Sequence, residues 1–330
     1  MKTNRLWLWC GVVSVVLGLV LASGCNTSPS VSAAGNSGDP SGKPLRLIFI
    51  GPVIHEEFFI PVRKGMADAA RLMGVEATFT GTEGVDTKAQ ADMVTQAVKD
   101  GYDGIAVDII HETDFDEVVA AALKAGTPVV AFNTDDTTPN PRLSTVSQNL
   151  YQAGRTVATR ALTFIPKGTD VLITKHDEGI TALDERARGI QDVLKANTIA
   201  WKVVITTPHP HKAETVITKA LEANPRIKTV LATGQADTEG AGLALGKAFA
   251  GKGYAAAGFD LSPNILKAVD AGAVRFTIDQ QPYTQGFYPV IQLTLLLRYG
   301  IKPSDIDAGA AVITQAEAKS VMKLKEQNYR

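Results

Sequence analysis

From residue 45 onward, short apolar runs recur along the chain, at residues 45–50, 77–80, 104–109, 128–132, 171–174, 203–206, 229–232, 255–259 and 275–278. These runs are continuous rather than alternating, as in strands of a parallel sheet that is covered on both faces. Between them lie stretches of helical period. Met93, Val94, Ala97 and Val98 share one helical face, with Asp86 placed to cap that helix and Gly101 to stop it. Val119, Ala122 and Leu123 repeat the pattern ahead of Gly126. Such βα repetition predicts a doubly wound α/β architecture. The alternation runs for about 270 residues, long for one open sheet, which predicts two domains of similar topology. No internal sequence repeat and no linker marks a boundary, so short structured hinges are expected between the domains.

Several runs end, at their carboxyl side, in polar or aromatic residues: His55, Asp108, Asn133, Gly234 with Gln235, Phe259 with Asp260, and Gln280. Ligands of open α/β sheets bind outside the carboxyl ends of the strands, so these residues would face one cleft. Carboxylates, amides and rings together suit a neutral, hydroxyl-rich ligand: the polar groups bond hydroxyl pairs and the rings cover apolar faces. A zwitterionic amino acid would instead need a dense set of carboxylate-binding donors.

No catalytic constellation stands out, and neither an enzymatic activity nor a cofactor is expected. Gly240, Gly242 and Gly246 mimic a dinucleotide fingerprint, but the spacing is one residue too long and lies within a helical pattern, where close helix packing explains it. His209-Pro210-His211 has a metal-like look but no third local ligand; it reads as an exposed extended loop, and no metal site is expected. Asp184, Glu185, Arg186 and Arg188 form a charge cluster at a helix start.

Composition changes the picture at two points. With 45% hydrophobic residues, 330 residues can bury two ordinary cores, and a net charge of −1 leaves no basic excess to hold a nucleic acid. The N-terminus then sets the compartment. Lys2 and Arg5 precede an apolar stretch over residues 6–20, the form of a secretory leader. Leu21-Ala22-Ser23-Gly24-Cys25 resembles a bacterial lipobox, with Ala22 standing where leucine is commoner; a plain signal peptide or a single membrane anchor are the alternatives. Cleavage after residue 24 would remove Cys10 and leave Cys25 as the only thiol, with acylation as its fate. Residues 25–44, rich in Ser, Gly, Pro and Asn, read as a flexible tether.

The body, from about residue 45 to 313, resembles the ribose-binding-protein-like periplasmic sugar-binding proteins of ABC importers, with type I topology. His55-Glu56-Glu57-Phe58-Phe59 resembles the family's Asn-Pro-Phe-Phe stretch, with His55 and Glu56 in place of asparagines and Phe58 and Phe59 implied to stack on the sugar. Asn133 and Thr134 stand where the family usually has Asp-Arg, and Gly234 and Gln235 stand in the place of a family asparagine and aspartate. Glu185-Arg186-Ala187-Arg188-Gly189 resembles the Arg-Glu-Arg-Gly helix start and puts Arg186 on the ligand-binding arginine. Ala257-Gly258-Phe259-Asp260 and Ile278-Asp279-Gln280-Gln281-Pro282 match best, implying that Asp260 accepts from two hydroxyls and that Gln280 bonds the ligand beside a hinge.

The resemblance implies two lobes, residues 45–147 with 281–308 and residues 148–280 with 309–330, joined by three crossings near Gln148, Gln280 and Gly309. A ligand that touches both lobes favours the closed form, which a permease can read. The expected function is that of a monomeric, lipid-anchored, extracytoplasmic binding protein delivering a monosaccharide or polyol to an ABC importer. The alternative is a module of the same fold presenting a sugar or autoinducer-like ligand to a membrane sensor.

Overall fold

The computed structural model describes residues 43–137 and 139–330. The predicted leader, Cys25 and nearly all of the tether lie outside the described residues.

The chain begins with β1 (Arg46–Gly51), α1 (Phe59–Met73), β2 (Glu76–Gly81), α2 (Thr87–Lys99), β3 (Gly104–Val107), α3 (Asp116–Lys124), β4 (Val129–Asn133) and β5 (Thr145–Ser147). It continues with α4 (Leu150–Ala161), β6 (Asp170–Lys175), α5 (Thr181–Ala196), β7 (Trp201–Ile205), α6 (Pro210–Glu222), β8 (Ile227–Ala232), α7 (Gln235–Lys247), β9 (Ala255–Phe259), α8 (Pro263–Asp270) and β10 (Val274–Asp279). Last come α9 (Pro282–Tyr299), β11 (Ile306–Asp307), β12 (Ala311–Thr314) and α10 (Gln315–Glu326).

The strands form two six-stranded sheets, in the orders β2-β1-β3-β4-β5-β11 and β7-β6-β8-β9-β10-β12. Every pairing is parallel except β10 with β12. The two orders are the same, so the lobes repeat one topology, apart from a sixth strand that is parallel in the first sheet and antiparallel in the second, although their sequences show no repeat.

Both faces of each sheet are covered, which is why the apolar runs are continuous. In β1, Leu47 and Phe49 pack toward α1 and α9, while Ile48 and Ile50 pack toward α2 and α3. In β6, Val171 and Ile173 face α4 and α5, and Leu172 faces α6 and α7. Each such side chain, buried from water, contributes on the order of 1.5–3 kcal/mol. The helices begin and end where their caps dictate. The Asp86 carboxylate accepts from the Ala89 N–H at 2.9 Å, and Gly101 and Gly126 take left-handed φ values of 70° and 91° just beyond α2 and α3.

Each lobe also has one very close helix crossing made by a pair of glycines. A Cβ on Gly65 or Gly286 would sit 2.0 or 1.9 Å from a carbonyl oxygen of the opposite helix, α9 or α1. Gly154 and Gly189 do the same for α4 and α5, at 2.1 and 2.2 Å. Gly240 and Gly242 lie inside α7 and pack closely on Ala213 of α6 and Ala268 of α8.

The chain passes from the first sheet to the second after Ser147, returns after Asp279, and leaves again after Asp307. Amide side chains knit these crossings together: Gln148 Nε2 donates to the Gly309 carbonyl at 2.8 Å and Gln281 Nε2 to that of Ala308 at 2.9 Å. The apolar pattern did not predict β5, β11 or β12, which have two to four residues each and exist only because the crossings lay them against longer strands. His209-Pro210-His211 is not a loop: Pro210 opens α6, a position where its missing N–H costs nothing, and His211 faces Glu214 at 3.5 Å.

Candidate functional site

The carboxyl ends of the first sheet gather around Asp108, the residue after β3. It is fully buried, and accepts from Asn133 Nδ2 at 2.7 Å and from the Thr134 N–H at 3.1 Å. Asn133 reaches it from a left-handed backbone, φ 63°. Burial pushes the Asp108 carboxyl up to about 7, against the pull of these hydrogen bonds, and Glu56 adds to the rise. Gln90 on α2 donates to the backbone carbonyls of both Ile50 and Asp108, pinning the ends of β1 and β3 together.

The second sheet supplies Arg186, His176, Asp260 and Gln280. Arg186 is 2% exposed. Its Nε and Nη2 donate to Gln148 Oε1 at 3.2 and 2.9 Å, its Nη1 donates to the Thr233 carbonyl at 3.0 Å, and the guanidinium lies 4.2 Å from the centre of the Phe259 ring. Burial draws its pKa down and Asp260 draws it back up. Asp260, at φ 71°, accepts from Gln280 Nε2 at 2.5 Å. Gln280 is steadied in turn by Gln285 of α9, whose Nε2 donates to its carbonyl at 2.9 Å.

The two lobes meet at both ends of the gap between the sheets. Thr181 of α5 donates to the Ile110 carbonyl from its hydroxyl at 3.1 Å and from its N–H. On the other side Lys325 of α10 approaches Glu57 at 4.0 Å, and a small cavity of about 10 Å³ is lined by Phe58 and Pro61 of the first lobe with Gln235, Asp260 and Leu261 of the second. Glu56 keeps contact with solvent in this gap. Desolvation nevertheless raises its carboxyl pKa, opposed by His176 and reinforced by Asp260, both across the gap. Asp279, where the chain returns to the first sheet, is 1% exposed and pairs with Arg330 at 3.0 Å; burial raises its carboxyl. Among the described residues, no group of three or more His, Cys, Asp or Glu side chains is placed to hold a metal ion.

Residues 47–302 match the family model described as a periplasmic binding protein domain. The chain belongs to the periplasmic binding protein family. Family members that resemble it include the xylose/arabinose-binding protein XylF of Sulfolobus acidocaldarius, 31% identical over 84% of this chain and 73% of that protein. The D-allose-binding periplasmic protein of Escherichia coli is 28% identical over 68% of this chain and 76% of its own length. Among solved structures, a carbohydrate transporter from Acidothermus cellulolyticus in complex with myo-inositol superposes with a TM-score of 0.78 at 24% identity, covering 87% of this chain and all of that one. These family members are binding proteins, not enzymes, and share the two-lobed type I fold.

Of the residues predicted for the site, Asp108, Asn133, Arg186, Asp260 and Gln280 come together on the facing sheet edges, with Glu56, Phe58 and Gln235 at the gap between the lobes. Three do not present their side chains there. His55 turns outward, with 75% of its side chain exposed, toward Glu83 at 3.6 Å. Phe59 is 1% exposed in an aromatic cluster with Phe79 and Phe132, because one residue further along α1 rotates it about 100° from Phe58 into the core. Phe259 is fully buried beneath Arg186, so its ring supports the guanidinium rather than a ligand. Gly234 has no side chain to offer, and its place beside the gap is filled by His176, at 2.8 Å from where a Cβ would stand. His176, Gln148 and Asp237 were missed by sequence reasoning. His176 directly follows β6, so the rule that sites lie at strand carboxyl ends could have found it.

Proposed function

We propose that this chain is a lipid-anchored, extracytoplasmic receptor that captures a monosaccharide or polyol between its two lobes and presents the closed form to the permease of an ABC importer. The observation that carries the reading is the pairing of two acid–amide units with buried carboxylates, Asp108 with Asn133 and Asp260 with Gln280, on opposite sheet edges. Each unit offers acceptors and donors to vicinal hydroxyls, and Arg186 adds a fixed cation beside them. The names of the relatives, which bind xylose, arabinose or allose, support the same ligand class. Bound sugar would lock both lobes by contacting each, the differential affinity that closure requires. The family points to a place outside the cytoplasmic membrane, and Cys25 is the anchor in this reading.

Thermal unfolding of residues 26–330 against pentoses, hexoses, polyols and amino acids tests it. A carbohydrate at about 100 times its Kd adds roughly 2.7 kcal/mol, a rise of several degrees. A shift with amino acids alone, or with none of the panel, refutes the sugar reading. For the anchor, cells fed radiolabelled palmitate should label the wild type and not Cys25→Ser.

A further inference from the structure

His176 is bound into the site in a way that the family pattern does not account for. Its ring lies against Gly234, where a Cβ would be 2.8 Å from both Nδ1 and Cε1, so this ring position exists only because residue 234 is glycine. Nδ1 faces Asp237 Oδ2 at 3.6 Å, an ion-pair separation longer than a formed hydrogen bond. Asp237 is fully buried in the first turn of α7, where the helix dipole favours its charge, and its other oxygen accepts from the Thr206 hydroxyl. Neither Nδ1 of His176 nor Oδ2 of Asp237 has a hydrogen-bond partner, so each is left to satisfy the other. Nε2, the ring atom after Cε1, has no hydrogen-bond partner among the described residues, and the side chain keeps 22% of its exposure, so this nitrogen is free to meet a ligand. Burial works against a charged imidazole here, but Asp237, Glu56 and Asp260 outweigh it and raise the pKa. These three carboxylates reach it from α7, from the loop before α1 and from the end of β9.

Resting on the sugar-receptor reading, we propose that His176, seated on Gly234 and aimed by Asp237, is a ligand-reading residue of the second lobe that donates from Nε2 to a ligand oxygen. It takes the space that a side chain at position 234 would otherwise occupy, and it selects ligands with an acceptor oxygen at that point. Asp237 is a positioning residue: it acts through the imidazole and touches no ligand.

Titration calorimetry at pH 6 with D-xylose, D-arabinose, D-allose and myo-inositol identifies the sugar that the wild type binds best. His176→Ala should weaken that sugar about tenfold or more. His176→Gln keeps a donor and the fold, and should lose less. Asp237→Asn should weaken binding severalfold, yet add nothing to His176→Gln in the double variant, because a positioning residue has no effect without the group it positions. Asp108 titrates in the same range, so the pH profile is read as a difference: between pH 6 and 8.5 wild-type affinity should fall more than that of His176→Gln. Equal affinity of wild type and His176→Ala, or additive losses in the double variant, overturns the proposal while leaving the sugar reading intact. Failure of the wild type to bind any of the four sugars overturns both.

Discussion

The glycine crossing beneath Arg186 yields a prediction in which local propensity and tertiary packing have opposite signs. Gly154→Ala places a Cβ 2.1 Å from the Arg186 carbonyl oxygen, with the Arg186 carbonyl carbon and Cα also within 3 Å. Ordinary contact needs at least 3.4 Å, so α4 and α5 must separate by more than 1 Å. The obstacle is backbone and has no rotamer to change. Overpacking costs about 1–3 kcal/mol, and this site belongs at the upper end. Alanine returns about 1 kcal/mol of helix propensity, leaving a net loss of about 2 kcal/mol. Gly246→Ala is the control: it also lies in a helix, is exposed, and has nothing within 4 Å, so it should gain about 0.5–1 kcal/mol. At roughly 2–4 °C per kcal/mol, thermal unfolding should show a fall of about 4–8 °C for the first and a small rise for the second. The shift in α5 also carries the guanidinium away from Gln148 and Thr233, so Gly154→Ala should weaken ligand binding while Gly246→Ala leaves it unchanged. Equal or greater stability of Gly154→Ala would refute the reasoning, since the close approach would then be easily relaxed.

Further predictions concern the site itself. The Asp108 carboxyl is held up at about 7 against an ordinary value near 3.9, so the native state binds a proton there that the unfolded chain does not. Its contribution to stability therefore falls as pH rises through that window, and Asp108→Asn should flatten the dependence of the urea midpoint on pH between about 4 and 7. An unchanged slope would count against it. Arg186→Lys keeps the charge but loses the fork to Gln148 and Thr233, leaving buried acceptors unpaired at about 1–3 kcal/mol each; stability should fall by about 2 kcal/mol and sugar affinity more than tenfold. Thr181→Val deletes the hydroxyl bond to Ile110 that joins the lobes, worth about 0.5–1.5 kcal/mol, so affinity should drop about 2- to 10-fold, with small-angle scattering showing a more open average form.

The sequence alone determined the layers. Continuous apolar runs meant strands with both faces covered, helical periods between them meant parallel crossovers, and Asp86, Gly101 and Gly126 marked helix ends, because these effects act within a few residues. It also pointed to the sheet edges as the site, through the position of Asp108, Asn133, Asp260 and Gln280 at strand ends. Tertiary structure decided what depends on partners distant in the chain. Phe58 and Phe59 are neighbours with the same side chain, yet only the packing of α1 on Phe79 and Phe132 makes one a core ring and leaves the other at the gap. Phe259 matched a ligand-facing pattern, but Arg186, 73 residues earlier, lies over its ring. His176 stands at the carboxyl end of β6, where the strand-end rule applies, but the seat of its ring was decided only by Gly234, 58 residues away, which makes room for it. The length of the alternation predicted two domains of similar topology, but their strand order came only from the tertiary structure, because a βα topology requires only buried apolar faces and close crossings such as the pairs Gly65 with Gly286 and Gly154 with Gly189. Different residues satisfy those needs in each lobe, so the fold repeats where the sequence does not.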